Sequence, residues 1–270
     1  MKKTVVLAVA AFAGSLFAIE APKAVPEQWK GLRVGVLGDS ITDKSQCAYQ
    51  KLYWQYLAGW LSWDVHVYGI SGHQWCHIPG QAEVMISEMG DDLDAVFIFA
   101  GTNDYCGSVP LGEWYETKEE TVNWWGEERR LMRRSFSMDQ GTLRGRMNFT
   151  LSMLKKRYPK AAVVLLTPLH RAYATFGGNN IQPAEDFPNT IGLYVDDYVK
   201  AIREAADVWG VEVVDLYGAS GMIPLQDEYA RYFRDSQGTD RLHPNQSGHL
   251  RIADLVFCRL SSIPSSFRED

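Results

Sequence analysis

The chain has 270 residues, of which 46% are apolar and 12% aromatic, so it can bury the core of one sizeable domain and is not disordered. Its formal charge of -6 and its isoelectric point near 5.6 argue against nucleic acid or an anionic membrane surface as the main partner. The one dense basic patch, Arg129, Arg130, Arg133 and Arg134, follows two glutamates and is interpreted as the solvated face of a helix.

Residues 1–18 have the three parts of a secretory signal peptide. Lys2 and Lys3 precede an apolar run over residues 5–13, and small residues follow up to Ala18. The alternative is a membrane anchor, but the run is shorter than the roughly 18 residues that a spanning helix needs. We therefore expect a secreted or periplasmic protein with no stable insertion in a membrane.

From residue 32 onwards, apolar runs alternate with helical patterns, which predicts one α/β domain over residues 32–262. Strands are expected at residues 33–37, 65–68, 95–99, 162–166 and 212–214, and helices at 48–61, 81–89, 143–158, 193–209 and 247–260. This alternation is typical of a parallel sheet with helices on both faces. Residues 19–31 are an N-terminal lead and residues 263–270 a C-terminal tail.

Two segments, at about residues 106–140 and 172–191, are too long for the short loops of a compact α/β domain. Each follows a predicted strand end, so both are expected to overhang the edge of the sheet where ligands bind. The first contains Trp114, Tyr115, Trp124 and Trp125. These aromatic side chains either bury one another in an inserted subdomain or form a platform for a flat substrate such as a sugar ring.

Polar residues follow the predicted strand ends. Ser40 comes after the first strand, Gly72 after the second and Asn103 after the third, while His243 lies late in the chain. Open α/β sheets bind ligands at this edge. A nucleophilic serine needs a general base, and the base needs a carboxylate to orient it; His243 and Asp240 supply both within one short turn. These residues predict a catalytic triad of Ser40, His243 and Asp240.

Two of these residues can also hold an oxyanion. The backbone N–H of Gly72 can approach a reacting carbonyl closely because no side chain intervenes. The carboxamide of Asn103 can donate a second hydrogen bond to the same oxygen.

The four motifs together resemble the SGNH (GDSL) hydrolase family of esterases and lipases. The match is Ser40 in Gly-Asp-Ser, Gly72 in Gly-x-Ser-Gly, Asn103 in Gly-Thr-Asn-Asp and His243 in Asp-x-x-His-Pro, in that order over about residues 32–260. The resemblance implies a flavodoxin-like three-layer α/β/α sandwich with a five-stranded parallel sheet. It also implies hydrolysis through an acyl-serine, no cofactor, and oxyanion donors from the Ser40 and Gly72 amides and the Asn103 side chain.

Other polar residues in these motifs have structural interpretations. Ser71 fails the Gly-x-Ser-x-Gly pattern because His73 stands where glycine is required, so it is interpreted as a turn residue. His73 and His77 are four residues apart but lack a carboxylate or cysteine set at metal spacing, so no metal site is predicted. Asp39 and Asp104 are expected to hold their loops through backbone hydrogen bonds.

Candidates for substrate contact are less well marked. His170 and Arg171 follow the fourth predicted strand and are chosen on position alone. Trp75 is a further candidate, as is Trp114 from the aromatic segment after the third strand.

The four cysteines, Cys47, Cys76, Cys106 and Cys258, permit disulfides in an exported chain. The first three each follow a predicted strand end, so a pair among them is one alternative and free buried thiols the other. No Cys-x-x-Cys pair exists, which disfavours a zinc or redox motif.

Taken together, the sequence predicts an exported serine esterase that acts on O-acyl esters, with acetyl groups of a carbohydrate as the simplest substrate. Two alternatives stay open. A lipase or lysophospholipase would use the aromatic segment as an acyl groove, and a glycan-binding module would keep the fold without turnover. The expected partner is a small-molecule or glycan ester; the oligomeric state is undetermined.

Overall fold

The computed structural model describes residues 25–235 and 238–265, so the predicted signal peptide lies outside the described residues. The strands are β1 (Arg33–Gly38), β2 (Asp64–Val67), β3 (Ala95–Phe99), β4 (Tyr115–Trp124), β5 (Glu127–Phe136), β6 (Ala162–Leu166), β7 (Ala174–Thr175), β8 (Ile181–Gln182) and β9 (Glu212–Val214). The α-helices are α1 (Tyr53–Leu61), α2 (Ile78–Met89), α3 (Thr102–Cys106), α4 (Leu143–Arg157), α5 (Val195–Trp209), α6 (Leu216–Ala219) and α7 (Gln246–Leu260). Short 3-10 helices lie at Glu27–Trp29, Lys44–Ala48, Trp75–His77 and Asp227–Tyr232. No helix in these ranges combines the length and apolar character needed to cross a membrane.

The main sheet has five parallel strands in the order β2-β1-β3-β6-β9. Parallel neighbours need crossover connections, and the helices in those connections cover both faces. Phe97 and Phe99 of β3 pack with α1 and α7 on one face, whereas Val96 and Ile98 pack with α2, α4 and α5 on the other. The structure therefore confirms the predicted three-layer α/β/α fold, with its core on both sides of β1, β3 and β6.

The first predicted helix is shorter than expected, because α1 begins at Tyr53 and not at residue 48. The side chain of Asp43 accepts a hydrogen bond from Ser45 N (2.9 Å) and starts a separate 3-10 helix. The helix proper begins where Gln55 Oε1 accepts from Leu52 N (2.8 Å). Local side-chain hydrogen bonds of this kind compete with helix and move its boundary. The other predicted helices start and end close to the observed ones.

Strands β4 and β5 form an exposed two-stranded hairpin within the first long insertion. Each strand has ten residues, none of them buried, and they pair in antiparallel register from Tyr115 opposite Phe136 to Trp124 opposite Glu127. Positive φ at Trp125 and at the following glycine makes the two-residue turn that suits such a ribbon. The basic patch at residues 129–134 lies on β5, so its interpretation as a helix face is wrong. The charged side chains of this patch are exposed to solvent, and an exposed strand can present them to solvent as well as a helix can.

The hairpin is attached to the layer formed by α4 and α5. Trp114, just before β4, is buried and donates from Nε1 to Glu204 Oε2 of α5 (2.9 Å). Asn148 Nδ2 of α4 donates to Trp114 O (2.9 Å). Phe136 stacks on Trp209 at the end of α5, with ring centroids 4.2 Å apart. This anchorage contradicts the expectation that the first insertion overhangs the carboxyl edge of the sheet.

The second insertion, at residues 172–191, does lie at that edge. Its small β7–β8 hairpin is joined to the chain that leads to His243. Thr175 N donates to Thr239 O (2.8 Å), and Ala172 N donates to Arg241 O (3.0 Å). The prediction that this segment overhangs the carboxyl edge of the sheet is therefore confirmed.

All four cysteines are free thiols, as in the unpaired alternative, but none is buried: Cys47, Cys76 and Cys106 are partly exposed and Cys258 is exposed.

Candidate active site

Ser40 lies just after the carboxyl end of β1, and its position depends on the close packing of Gly38, the last residue of that strand. A Cβ atom on Gly38 would lie 2.5 Å from Phe99 O of the neighbouring strand, so no larger residue fits without displacing backbone. Gln81 of α2 binds both backbone groups of Gly38, with Oε1 accepting from N (2.9 Å) and Nε2 donating to O (2.8 Å). The strand end is therefore rigid, and Ser40 follows it by two residues.

Ser40, His243 and Asp240 form a continuous hydrogen-bonded chain. His243 Nε2 lies 2.8 Å from Ser40 Oγ, and His243 Nδ1 lies 3.0 Å from Asp240 Oδ2. The second carboxylate oxygen, Asp240 Oδ1, accepts from the backbone N–H groups of Leu242 (3.1 Å) and His243 (2.9 Å). The carboxylate is thus fixed to the turn that carries the imidazole. With Nδ1–H donating to Asp240, Nε2 is free to accept the Ser40 proton.

The electrostatics of Asp240 keep it ionised. Burial by itself would raise the pKa of the Asp240 carboxyl. Hydrogen bonds from the His243 ring and from two backbone amides, with the charge of His243, outweigh burial and lower that pKa below its ordinary value. Asp240 is therefore an acceptor at neutral pH, as an orienting carboxylate must be.

Three residues with available hydrogen-bond donors, Ser40, Gly72 and Asn103, line the same pocket. The backbone N–H groups of Ser40 and Gly72 donate to no acceptor within the described residues. Asn103 Nδ2 donates one hydrogen to His73 O (3.0 Å), which leaves its second hydrogen for the pocket. Gly72 has φ of 81°, in the left-handed region that favours glycine. This arrangement can hold an oxyanion formed on attack by Ser40.

Two buried aspartates in the same motifs hold the backbone, as predicted. Asp39 Oδ1 accepts from Ile41 N (3.0 Å), and Asp104 Oδ2 accepts from Trp75 N (3.0 Å). Asp104 Oδ1 also binds Arg146 Nη1 (2.8 Å). Burial raises the pKa of Asp39 to about 7 and that of Asp104 to about 6. Neither residue lines the pocket of Ser40.

The triad opens into a pocket of about 460 Å³ whose wall comes from distant segments. Besides the triad and the oxyanion donors, the wall includes Gln46, Phe176, Asn180, Gln182 and Arg234. The Phe176 ring lies 5.2 Å from the His243 ring, edge to face. Sequence reasoning missed these five residues because none belongs to a motif. The only signal was the length of the second insertion, which contributes three of them.

The aromatic candidates for substrate contact are not on this wall. Trp75 is 1% exposed and Trp114 is 8% exposed, and both side chains belong to the core on the α2, α4 and α5 face. The prediction that they contact substrate is therefore wrong. Trp124 and Trp125 are exposed, but they lie at the tip of the β4–β5 hairpin and not on the pocket wall.

His170 and Arg171 also lie outside the pocket wall, which contradicts direct contact for both. Arg171 is 1% exposed, and its guanidinium binds Thr102 Oγ1 (2.9 Å) and Gln182 Oε1 (3.1 Å). Arg171 therefore acts indirectly, because its hydrogen bond helps to fix the side chain of the wall residue Gln182. His170 Nδ1 binds Glu185 Oε1 (2.8 Å), and neither residue lines the pocket of Ser40.

Ser71 lies in a turn, as the sequence suggests. Ser71 Oγ donates to Asp43 Oδ2 (2.7 Å), which is an acceptor but not a histidine base. The rings of His73 and His77 stack with centroids 4.5 Å apart. Across residues 25–235 and 238–265, no group of three or more His, Cys, Asp or Glu side chains is placed to hold a metal ion.

Removing the β4–β5 hairpin tests its separation from the site. Replacing residues 117–134 with Asn-Gly joins Glu116 to Ser135, which are direct partners across the ribbon. We expect kcat/KM for 4-nitrophenyl acetate to stay within about twofold of wild type, as for surface changes away from a site. Phe176→Ala is the matched comparison and should lower kcat/KM, because Phe176 packs on His243. A tenfold loss on hairpin removal, with an unchanged melting temperature, would contradict the separation.

The chain matches one family model and is similar in fold to several solved structures. A family model described as the GDSL-like lipase/acylhydrolase family matches residues 36–251. A crystal structure of a protein from Lactobacillus plantarum is similar at 26% identity and a TM-score of 0.65, covering 86% of this chain and 98% of that one. A possible lipase from Chitinophaga pinensis has 18% identity and a TM-score of 0.61, with 86% and 98% covered. A catalytic mutant of an acetylxylan esterase from Geobacillus stearothermophilus has 16% identity and a TM-score of 0.52, with 89% and 98% covered. No curated protein sequence matches the chain.

Proposed function

The chain belongs to the GDSL-like lipase/acylhydrolase family, and from this premise we propose that it is an exported serine esterase that removes acetyl groups from a carbohydrate. The observation that carries the esterase mechanism is the chain of hydrogen bonds from Ser40 Oγ through His243 to Asp240, with distances of 2.8 and 3.0 Å. Export is supported by the sequence pattern of residues 1–18.

The proposed mechanism follows from the positions of these atoms. His243 Nε2 takes the proton as Ser40 Oγ attacks the ester carbonyl, and Asp240 stabilises the imidazolium. The amides of Ser40 and Gly72 and the carboxamide of Asn103 hold the oxyanion. Collapse of the tetrahedral intermediate breaks the bond to the alcohol, which leaves with the proton from His243. Water, activated by the same imidazole, then hydrolyses the acyl-serine.

The polar wall of the pocket supports a carbohydrate. Gln46, Asn180 and Gln182 present amide groups, which suit the hydroxyl groups of a sugar better than a long acyl chain. The similarity to an acetylxylan esterase agrees with this proposal, although at 16% identity it shows only a shared fold.

A second candidate, a lipase-type acylhydrolase, is favoured by one observation. A separate cavity of about 860 Å³ lies along β2 and α2, beside the Gly72 loop, and its lining includes Val67, Ile70 and Val84. An acyl chain could enter this apolar cavity.

Acyl-chain preference distinguishes the two candidates. We expect 4-nitrophenyl acetate to give the highest kcat/KM in a series of acetyl, butyryl, octanoyl and palmitoyl esters, because several polar side chains line the pocket at Ser40 and would be desolvated by a long acyl chain. We also expect release of acetate from acetylated oligosaccharides. A maximum at octanoyl or palmitoyl would support the lipase candidate. Binding of acetylated oligosaccharide without any turnover would support a glycan-binding module.

A further inference from the structure

Arg234 occupies a position in the active-site wall that the proposed mechanism does not use. Its backbone N–H donates to His243 O (3.0 Å), so the residue is tied to the catalytic turn. Its side chain is half-buried and lines the same pocket as Ser40 and Asn103. Its Nη1 atom donates to Gln46 Oε1 (2.9 Å), and Gln46 is another residue of the pocket wall, so the guanidinium lies beside this wall.

Most hydrogen-bond donors of this guanidinium have no acceptor among the described residues. An arginine side chain carries five N–H donors. In the described part of the chain, Arg234 uses Nη1 for one neutral acceptor, Gln46 Oε1 (2.9 Å), and forms no ion pair. The buried Arg171 differs, because four neutral acceptors surround its guanidinium: Thr102 Oγ1, Cys106 Sγ, Gln182 Oε1 and Pro183 O.

Among the described residues, the pocket wall has no free carboxylate that could neutralise Arg234. Asp240 is the one carboxylate on the described wall, and its oxygens are engaged by the His243 ring and by two backbone amides. Burial lowers the pKa of the Arg234 guanidinium, and the charge of Asp240 opposes this change only in part. A half-buried cation that has neither a paired anion nor a full set of neutral acceptors is favoured by an anionic ligand.

We propose that Arg234 binds a carboxylate of the substrate, which makes acylated acidic glycans, such as those that contain uronic acids, the preferred substrate class. The planar guanidinium offers parallel N–H groups that match the two oxygens of a carboxylate. A carboxylate on the sugar would bind Arg234 while the acetyl group of the same glycan lies at Ser40. This inference rests on the proposed esterase function and narrows its substrate.

The test uses two substrates that differ only in charge. An acetylated galacturonic acid oligosaccharide is compared with the same oligosaccharide after its carboxylates are converted to amides, with acetate release as the readout. We expect wild type to favour the acidic substrate in kcat/KM, and Arg234→Gln to reduce the ratio of acidic to amidated substrate by about 10- to 100-fold, as loss of a charged hydrogen bond typically does. Arg234→Lys should restore part of the ratio. Arg231→Gln removes an exposed charge outside the pocket and should keep the wild-type ratio.

A binding measurement separates this inference from the esterase function. In a Ser40→Ala background, calorimetry should show that Arg234→Gln weakens binding of the acidic oligosaccharide. Binding that depends on Arg234, without acetate release by wild type, would support the carboxylate site and overturn the esterase proposal. Equal release from both substrates by wild type, or equal losses on both in Arg234→Gln, would overturn the carboxylate site and leave the esterase proposal standing.

Discussion

Replacing Ser40 with alanine is expected to abolish ester hydrolysis, with a loss in kcat of roughly 10⁵–10⁶, as for removal of the nucleophile in other serine hydrolases. The physical reason is that Ser40 Oγ is the hydroxyl within hydrogen-bonding distance of His243 Nε2 (2.8 Å). Ser40 is only partly buried at a strand end, so the variant should melt at the wild-type temperature. Initial rates on 4-nitrophenyl acetate and a thermal melt measure both effects.

Ser71→Ala is the matched control, because Ser71 lies in the same pocket but binds Asp43 and not a histidine. A fluorophosphonate probe should label wild type and Ser71→Ala at Ser40 and should not label Ser40→Ala. Turnover within tenfold of wild type in Ser40→Ala, or transfer of the label to Ser71, would show that another group is the nucleophile.

Asp240→Asn should have the second largest effect, a fall in kcat of about 10⁴. Asp240 Oδ1 accepts from two backbone N–H groups, so an asparagine must keep its carbonyl oxygen at that position. Its NH₂ group then faces His243 Nδ1, where Oδ2 stood 3.0 Å away. Because both would donate, Nδ1 must lose its hydrogen and Nε2 must carry it. The imidazole then points an N–H at Ser40 and cannot take its proton.

This prediction has a readout beyond the rate. Nitrogen NMR of the histidine ring should show the hydrogen on Nδ1 in wild type and on Nε2 in Asp240→Asn. Glu185→Gln is the control, since Glu185 forms a similar pair with His170 (2.8 Å) outside the pocket. Its kcat should equal that of wild type. Retention of the Nδ1 tautomer, or a loss in kcat below tenfold, would contradict the proposed role of Asp240.

The sequence alone determined the sheet and the residues that meet at its edge. Strands β1, β3 and β6 are buried on both faces, so their sequences are short apolar runs, and the helical patterns between them indicate a parallel sheet. Polar residues directly after such runs reach one edge because parallel strands all end there. Asp240 and His243 are three residues apart, so their contact is local in the chain. The structure brings Ser40 to them across 203 positions because β1 ends at that same edge.

Only the tertiary structure decided which residues line the pocket and where the long aromatic insertion packs. Whether Trp114 is buried depends on partners such as Asn148 and Glu204, which lie 34 and 90 positions away, and no local pattern encodes those contacts. The arginines of β5 are solvated, and a solvated strand and a solvated helix face have similar charge patterns in sequence. Arg234 lines the pocket of Ser40, and its backbone is hydrogen-bonded to His243 in the folded chain. A sequence motif predicts the local geometry of a few neighbouring residues. The chemistry of a pocket wall depends on which distant segments of the chain pack together to form that wall.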